Sequence, residues 1–129
     1  MERRLTTAAS GFEKPLRALL RAALSYPEAW EDHPWGETVV KVRKKIFIFL
    51  SRGDRALRIT CKLPQSSQAA LSMLSFSEPT GYGLGRSGWV TATFAERDKV
   101  PVEMLHEWMD ESYRAIAPKK LVQLLAQAR

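Results

Sequence analysis

With 129 residues, 45% of them apolar and 26% charged, the chain has the composition of one folded domain and is excluded from the disordered and fibrous classes. Its net charge of +6 favours anionic partners, without choosing between nucleic acid and acidic lipid. The single cysteine excludes an intrachain disulfide, and the longest apolar run, residues 46–50, is far short of the roughly 20 residues that span a membrane.

Residues 1–10 have a basic start but lack the ~7 to 15 apolar residues of a secretion signal, so a flexible N-terminus and a cytoplasmic protein are expected. A helix is predicted over 15–24, opened by Pro15, with Leu16, Leu19, Leu20 and Ala23 as its apolar stripe and Arg17 and Arg21 outward. Pro27 stops it. Residues 26–36 read as a structured loop, with Trp30 and Trp35 anchoring it to the core. The acids Glu28, Glu31, Asp32 and Glu37 stand next to the basic strands that follow and are placed to pair with some of their cations.

Residues 38–62 read as three antiparallel strands. In 38–43 Val40 and Val42 alternate with Lys41 and Arg43; 46–50 is apolar throughout and needs cover on both faces; in 55–62 Leu57, Ile59 and Cys61 alternate with Arg58, Thr60 and Lys62. The turns fall at 43–45 and 51–54, the second with good turn chemistry. Between Lys41 and Lys62 lie eight basic residues and one acid, Asp54, so the rest of the chain is close to neutral. Cys61 points inward beside Ile59, as a core residue.

A helix is expected over 64–76, with Ala70, Leu71 and Leu74 at core spacing. Residues 77–88 form a glycine-rich loop and 89–94 a fourth strand whose Thr91 and Thr93 suit a sheet surface. Pro101 begins the longest helix, with Val102, Leu105, Met109, Tyr113 and Ile116 on its apolar face, widened by Met104, Trp108 and Ala115. After Pro118 a short helix turns Leu121, Leu124 and Leu125 inward.

No catalytic site is legible. The run 81–88 contains four glycines, but a phosphate-cradling loop leaves a strand and enters a helix, the reverse of the order here, and it lacks Gly-Lys-Ser/Thr. A mobile loop is expected, one that lets backbone amides and Arg86 approach a phosphate. Glu28, Asp32 and His33 are the nearest approach to a metal set, and a surface histidine is the preferred reading; no cofactor or metal is expected. Asp110 and Glu111 diverge by about 100° on a helix and read as a solvated face. The cations Lys41, Arg43, Lys44, Lys45, Arg52, Arg58, Lys62 and Arg86 form the candidate nucleic-acid-binding set, with Phe47 and Phe49, or Ile46 and Ile48, beside them according to register. Basic strands also serve as solubility devices that blunt a sheet edge, and both readings stay open here.

The Glu31, Pro34-Trp-Gly36 loop, Gly81-Tyr82, Arg86, Trp89 and Asp110-Glu-Ser-Tyr113 together resemble the YjbR/MmcQ-like family of small bacterial proteins, over about residues 15–120. The resemblance implies an α+β fold similar to frataxin and CyaY, described for that family as a double-wing DNA-binding arrangement. The chain departs from the family's loop, Gly-Tyr-His-apolar-Asn-basic-basic-His-Trp, with Gly83, Gly85, Ser87 and Gly88 at four polar places. Arg17 and Arg21 stand where an iron-binding acidic ridge would be. The expectation is a monomeric, single α+β domain with a central antiparallel sheet and helices mainly on one face. It is expected to bind DNA rather than RNA, or to meet an acidic protein partner, without catalysis and without a membrane.

Overall fold

The alternating segments at 38–62 form a meander of three strands, and the computed structural model, which describes residues 6–127, extends it on both sides into a six-stranded antiparallel sheet. In chain order the elements are α1 (Thr6–Leu24), β1 (Ala29–Asp32), β2 (Thr38–Val42), β3 (Lys45–Arg52), β4 (Ala56–Lys62), α2 (Ser67–Met73), β5 (Ser77–Pro79), β6 (Trp89–Ala95), α3 (Val102–Ile116) and α4 (Lys119–Gln127). The strands lie in the order β1-β2-β3-β4-β6-β5, which makes β1 and β5 the edges. The fold is α+β.

All four helices gather on one face. Phe12, Leu19 and Ala23 of α1 and Leu105, Trp108, Met109 and Tyr113 of α3 are buried with Val40, Ile48, Leu50, Ile59, Cys61, Val90 and Ala92 of the sheet. Register places these sheet residues on a common side: Val40 faces Ile48, Ile48 faces Cys61, and Cys61 faces Val90. Burial pushes the Cys61 thiol well above its ordinary pKa, in keeping with a core residue.

Strand β3 departs from strict alternation. The pairing with β2 shifts between Val40, opposite Ile48, and Lys41, opposite Ile46, so Phe47 is a bulge residue. Neither expected pairing of apolar residues therefore holds. Phe47 and Ile48 both turn to the helices, Phe47 against Tyr113 at 5.1 Å between ring centroids, while Ile46 and Phe49 share the opposite face. The bulge breaks the ladder to β4, and Ser112 of α3 closes the gap. Its hydroxyl accepts from the Lys62 amide at 2.9 Å and donates to the Phe47 carbonyl at 2.5 Å.

Other expectations are corrected. Helix α1 begins at Thr6, so Pro15 is an interior residue and positions 6–10 are helical; positions 1–5 lie outside the described residues. Pro15 forfeits the bond to the Gly11 carbonyl, a cost that burial of Phe12 and Leu19 on either side offsets. The segment 26–36 contains strand β1, and its tryptophans are not core anchors: Trp30 is 43% and Trp35 86% exposed. Helix α2 is shorter than 64–76, Leu71 is exposed, and β5 follows it. On α3 Ala115 is exposed, and on α4 Leu124 is exposed while Leu121 is buried.

Candidate functional site

None of the four helices covers the opposite face of the sheet, which is open in part: Val39, Thr60, Trp89 and Thr91 are buried on it, against the surface expected for Thr91, while Arg58 is exposed. Register brings Trp30 and Asp32 of β1, Val39 and Lys41 of β2, Ile46 and Phe49 of β3, Arg58, Thr60 and Lys62 of β4, Trp89, Thr91 and Thr93 of β6, and Glu78 of β5 to this side. Three of the expected cations, Lys41, Arg58 and Lys62, thus share a surface, and Lys44 and Lys45 stand at the β2–β3 turn at its end. Arg52 does not join them: it closes β3 opposite Leu57, whose side chain belongs to the core. Arg86 lies in the short helical turn Leu84–Ser87 that leads into β6.

The acids of β1 engage two of the cations. Lys41 donates to Asp32 at 2.8 Å, with its ammonium 5.1 Å from the centre of the Trp30 ring. Arg43 belongs to the turn rather than to a strand. It has φ of 57°, points two guanidinium nitrogens at Glu28 at 3.0 and 3.4 Å, and accepts the Trp30 indole N–H on its carbonyl at 2.8 Å. These ion pairs, with the His33 amide bonded to Asp32, hold the Asp32 and Glu28 carboxyls below the usual carboxylate range. Among the described residues no ion pair engages Lys44, Lys45, Arg58, Lys62 or Arg86. The strand acids of this face, Asp32 and Glu78, stand on the two edge strands, and Glu37 reaches it from the β1–β2 connection, accepting from the Ser51 hydroxyl at 3.2 Å in the row that holds Arg58.

Next to the turn the open face sinks into a hollow of about 360 Å³. Ile46, Phe49, Leu84, Trp89 and Ile116 line it, with Lys41, Lys44 and Lys45 around the mouth. Phe49 and Trp89 meet edge to face at 5.8 Å. On the other side of the same turn Val42, Ile116 and Pro118 line a second hollow of about 370 Å³, again bordered by Lys44 and Lys45. Sequence reasoning missed the first because the bulge that puts Ile46 and Phe49 on one face leaves no trace in an unbroken apolar run, and the second because it joins Val42 to the distant Ile116 and Pro118.

The family model YjbR matches residues 24–115. The chain belongs to the YjbR family. A crystal structure of the Deinococcus radiodurans protein DR2400, whose domain carries the label DUF419, is similar in fold: TM-score 0.63, 24% identity, covering 82% of this chain and 83% of that one. A search of curated proteins finds no match.

The residues that carried the YjbR resemblance now have physical roles, most of them structural. Asp110 and Glu111 are half-exposed, and both are engaged by partners that a merely solvated face would lack. Asp110 accepts from the Tyr26 hydroxyl at 2.9 Å and from Arg114 at 2.6 Å, and burial together with this carboxylate pushes the Tyr26 phenol up. Glu111 accepts the amides of Gln65 and Ser66 and the Ser66 hydroxyl at 2.6 to 3.0 Å, holding the chain where it enters α2. Tyr113 donates to the Pro27 carbonyl at 2.7 Å. With Ser112 in the sheet, four consecutive residues tie α3 to four other segments 45 to 86 positions away, and the helical pattern alone contains no signal for those partners.

In the glycine-rich loop the amides of Leu84, Gly85, Arg86 and Gly88 donate to carbonyls of residues 80–85, and Gly88 accepts from Leu63 at 2.8 Å. Those four amides are therefore spent on the loop itself rather than held for a phosphate. A Cβ on Gly85 would lie 2.8 Å from that of Pro79, so this close approach of two loop segments requires glycine. Glu28, Asp32 and His33 are not drawn together: Glu28 pairs with Arg43, Asp32 with Lys41, and His33 sits 2.8 Å from Glu31. No group of three or more metal-ligating side chains occurs among the described residues, and none of their helices is long and apolar enough to cross a membrane.

Proposed function

We propose that the open face of the sheet is a nucleic-acid contact surface that grips phosphates without reading sequence, and that the protein is a binding module rather than an enzyme. The observation that carries this reading is the segregation of the sheet: every helix packs on one side, while Arg58, Lys62 and the Lys44–Lys45 turn remain on or beside the other without ion pairs among the described residues. Cations that blunt a sheet edge stand on edge strands, whereas Arg58 and Lys62 stand on β4 in the interior of the sheet. Here Lys44 and Lys45 border an apolar hollow and Lys62 stands opposite Trp89, the combination of cation and ring by which sheets hold nucleic acid.

The test is the salt dependence of DNA binding. Engaging about four phosphates of a duplex gives a log-log slope near −3.6, at about −0.9 per phosphate. Replacing Arg58 and Lys62 together by Gln flattens the slope by about two units, while folding stability changes by about 0.5 kcal/mol or less for each exposed or half-exposed site. The reading fails if DNA does not bind at about 50 mM salt, or if the double substitution leaves affinity and slope unchanged.

A further inference from the structure

A surface that only grips phosphates has no use for an apolar concavity, because phosphates and their counterions are met by exposed ammonium and guanidinium groups. Yet the hollow floored by Ile46, Phe49 and Trp89 opens directly between the lysines of the turn and Leu84. An uncharged aliphatic group would leave the lysines of its mouth without a partner, and an anion alone would leave its apolar floor empty. Its volume of about 360 Å³ admits one flat aromatic ring system with room to spare.

We infer that this hollow receives one unpaired nucleobase, so that the open face takes single-stranded nucleic acid in preference to duplex; the inference rests on the phosphate-binding reading above. A base seated on Ile46, Phe49 and Trp89 keeps its own phosphates at the rim, within reach of Lys44 and Lys45. Lys41 is fixed at the same rim by Asp32 and by the Trp30 ring. In a duplex the bases are stacked inside the helix and cannot reach the floor of a concavity, so a duplex meets the lysines only. The second hollow, across the turn, extends the argument: a strand draped over Lys44 and Lys45 finds apolar surface on both sides, which a stiff duplex cannot follow.

The experiment is fluorescence anisotropy on the full chain with four probes. These are an oligothymidylate of about twelve nucleotides, an abasic strand of equal length and charge, a duplex of the same length, and polyglutamate. The inference predicts that oligothymidylate binds about tenfold more tightly than the abasic strand, and more tightly than the duplex. Leu84→Ala, at an exposed wall of the hollow, brings that ratio down to about threefold without changing affinity for the abasic strand. Equal affinity for oligothymidylate and abasic strand, a duplex bound as tightly as the single strand, or a Leu84→Ala protein with the full ratio overturns the inference and leaves phosphate binding intact. The abasic comparison decides the matter even where the variant fails to fold. Absence of all nucleic-acid binding at about 50 mM salt removes the phosphate reading itself, and polyglutamate bound as tightly as oligothymidylate overturns both in favour of an acidic protein partner.

Discussion

The two faces of one sheet have been put to opposite uses. On the covered face Val40, Ile48, Ile59, Cys61, Val90 and Ala92 are fully buried beneath α1 and α3. On the other face the cross-strand row Ser51, Arg58 and Thr93 is polar, Val39 is buried, and Ile46, Phe49 and Trp89 line a hollow at one end. The same backbone ladder supports both. On the proposed reading stability and recognition are divided by the pleat, alternate residues of a single strand serving separate ends, so substitutions on either side should be separable in their effects.

The largest effect belongs to the covered face. Trp108→Ala removes a side chain that is 5% exposed, and is expected to cost about 3 to 5 kcal/mol in chemical denaturation. The protein that remains folded should bind DNA as before. A loss of affinity beyond the loss of folded protein would break the division between the faces.

Ser112→Ala attacks the join between them. It orphans the Lys62 amide and the Phe47 carbonyl, at about 1 to 3 kcal/mol for a buried unpaired group. Amide exchange at Lys62 should accelerate more than at Ile59, deeper in the same strand. Equal acceleration at both would mean that Ser112 supports the whole strand rather than the bulge.

A smaller effect sharpens the electrostatics of the open face. Asp32→Asn releases Lys41 while keeping an oxygen for the His33 amide, and should raise affinity for duplex DNA about three- to tenfold and steepen the salt slope by about 0.9. Folding depresses the Asp32 and Glu28 pKa values, so both carboxylates add stability above the ordinary carboxylate range and lose it as pH falls through their folded values. In that acid window Lys41 and Arg43 are set free. Wild-type affinity for oligothymidylate should therefore rise as pH falls, and the rise should be smaller in Asp32→Asn. An identical pH profile for the two proteins would show that Asp32 does not restrain Lys41.

Much of the covered face was legible in the sequence, because burial on one side writes itself as alternation in 38–42 and 56–62 and as helical periodicity in 102–116. Strand β1 was not: Ala29-Trp-Glu-Asp32 lies on an edge, keeps Trp30 and Glu31 exposed, and is held by its backbone pairing to β2. Strand β5 was hidden for the same reason, with only Ser77 of its three residues partly buried. The cations of the candidate site could be counted in advance, but which of them are engaged could not. Arg43 alternates with Lys41 in sequence, yet the strand ends at Val42 and Glu28 claims the guanidinium. The tryptophans misled because a large ring is ordinarily a core anchor, whereas Trp30 spends its ring on Lys41 and its N–H on a turn carbonyl.

The two edge strands carry a last consequence. An exposed edge is a template on which another chain can add strand after strand, the route to fibres and swapped assemblies. Here β1 offers four residues and ends in Glu31 and Asp32, while β5 offers three and ends in Pro79, which has no N–H to give. Sideways growth finds little purchase at either margin. Strand addition is therefore disfavoured at both edges of the sheet.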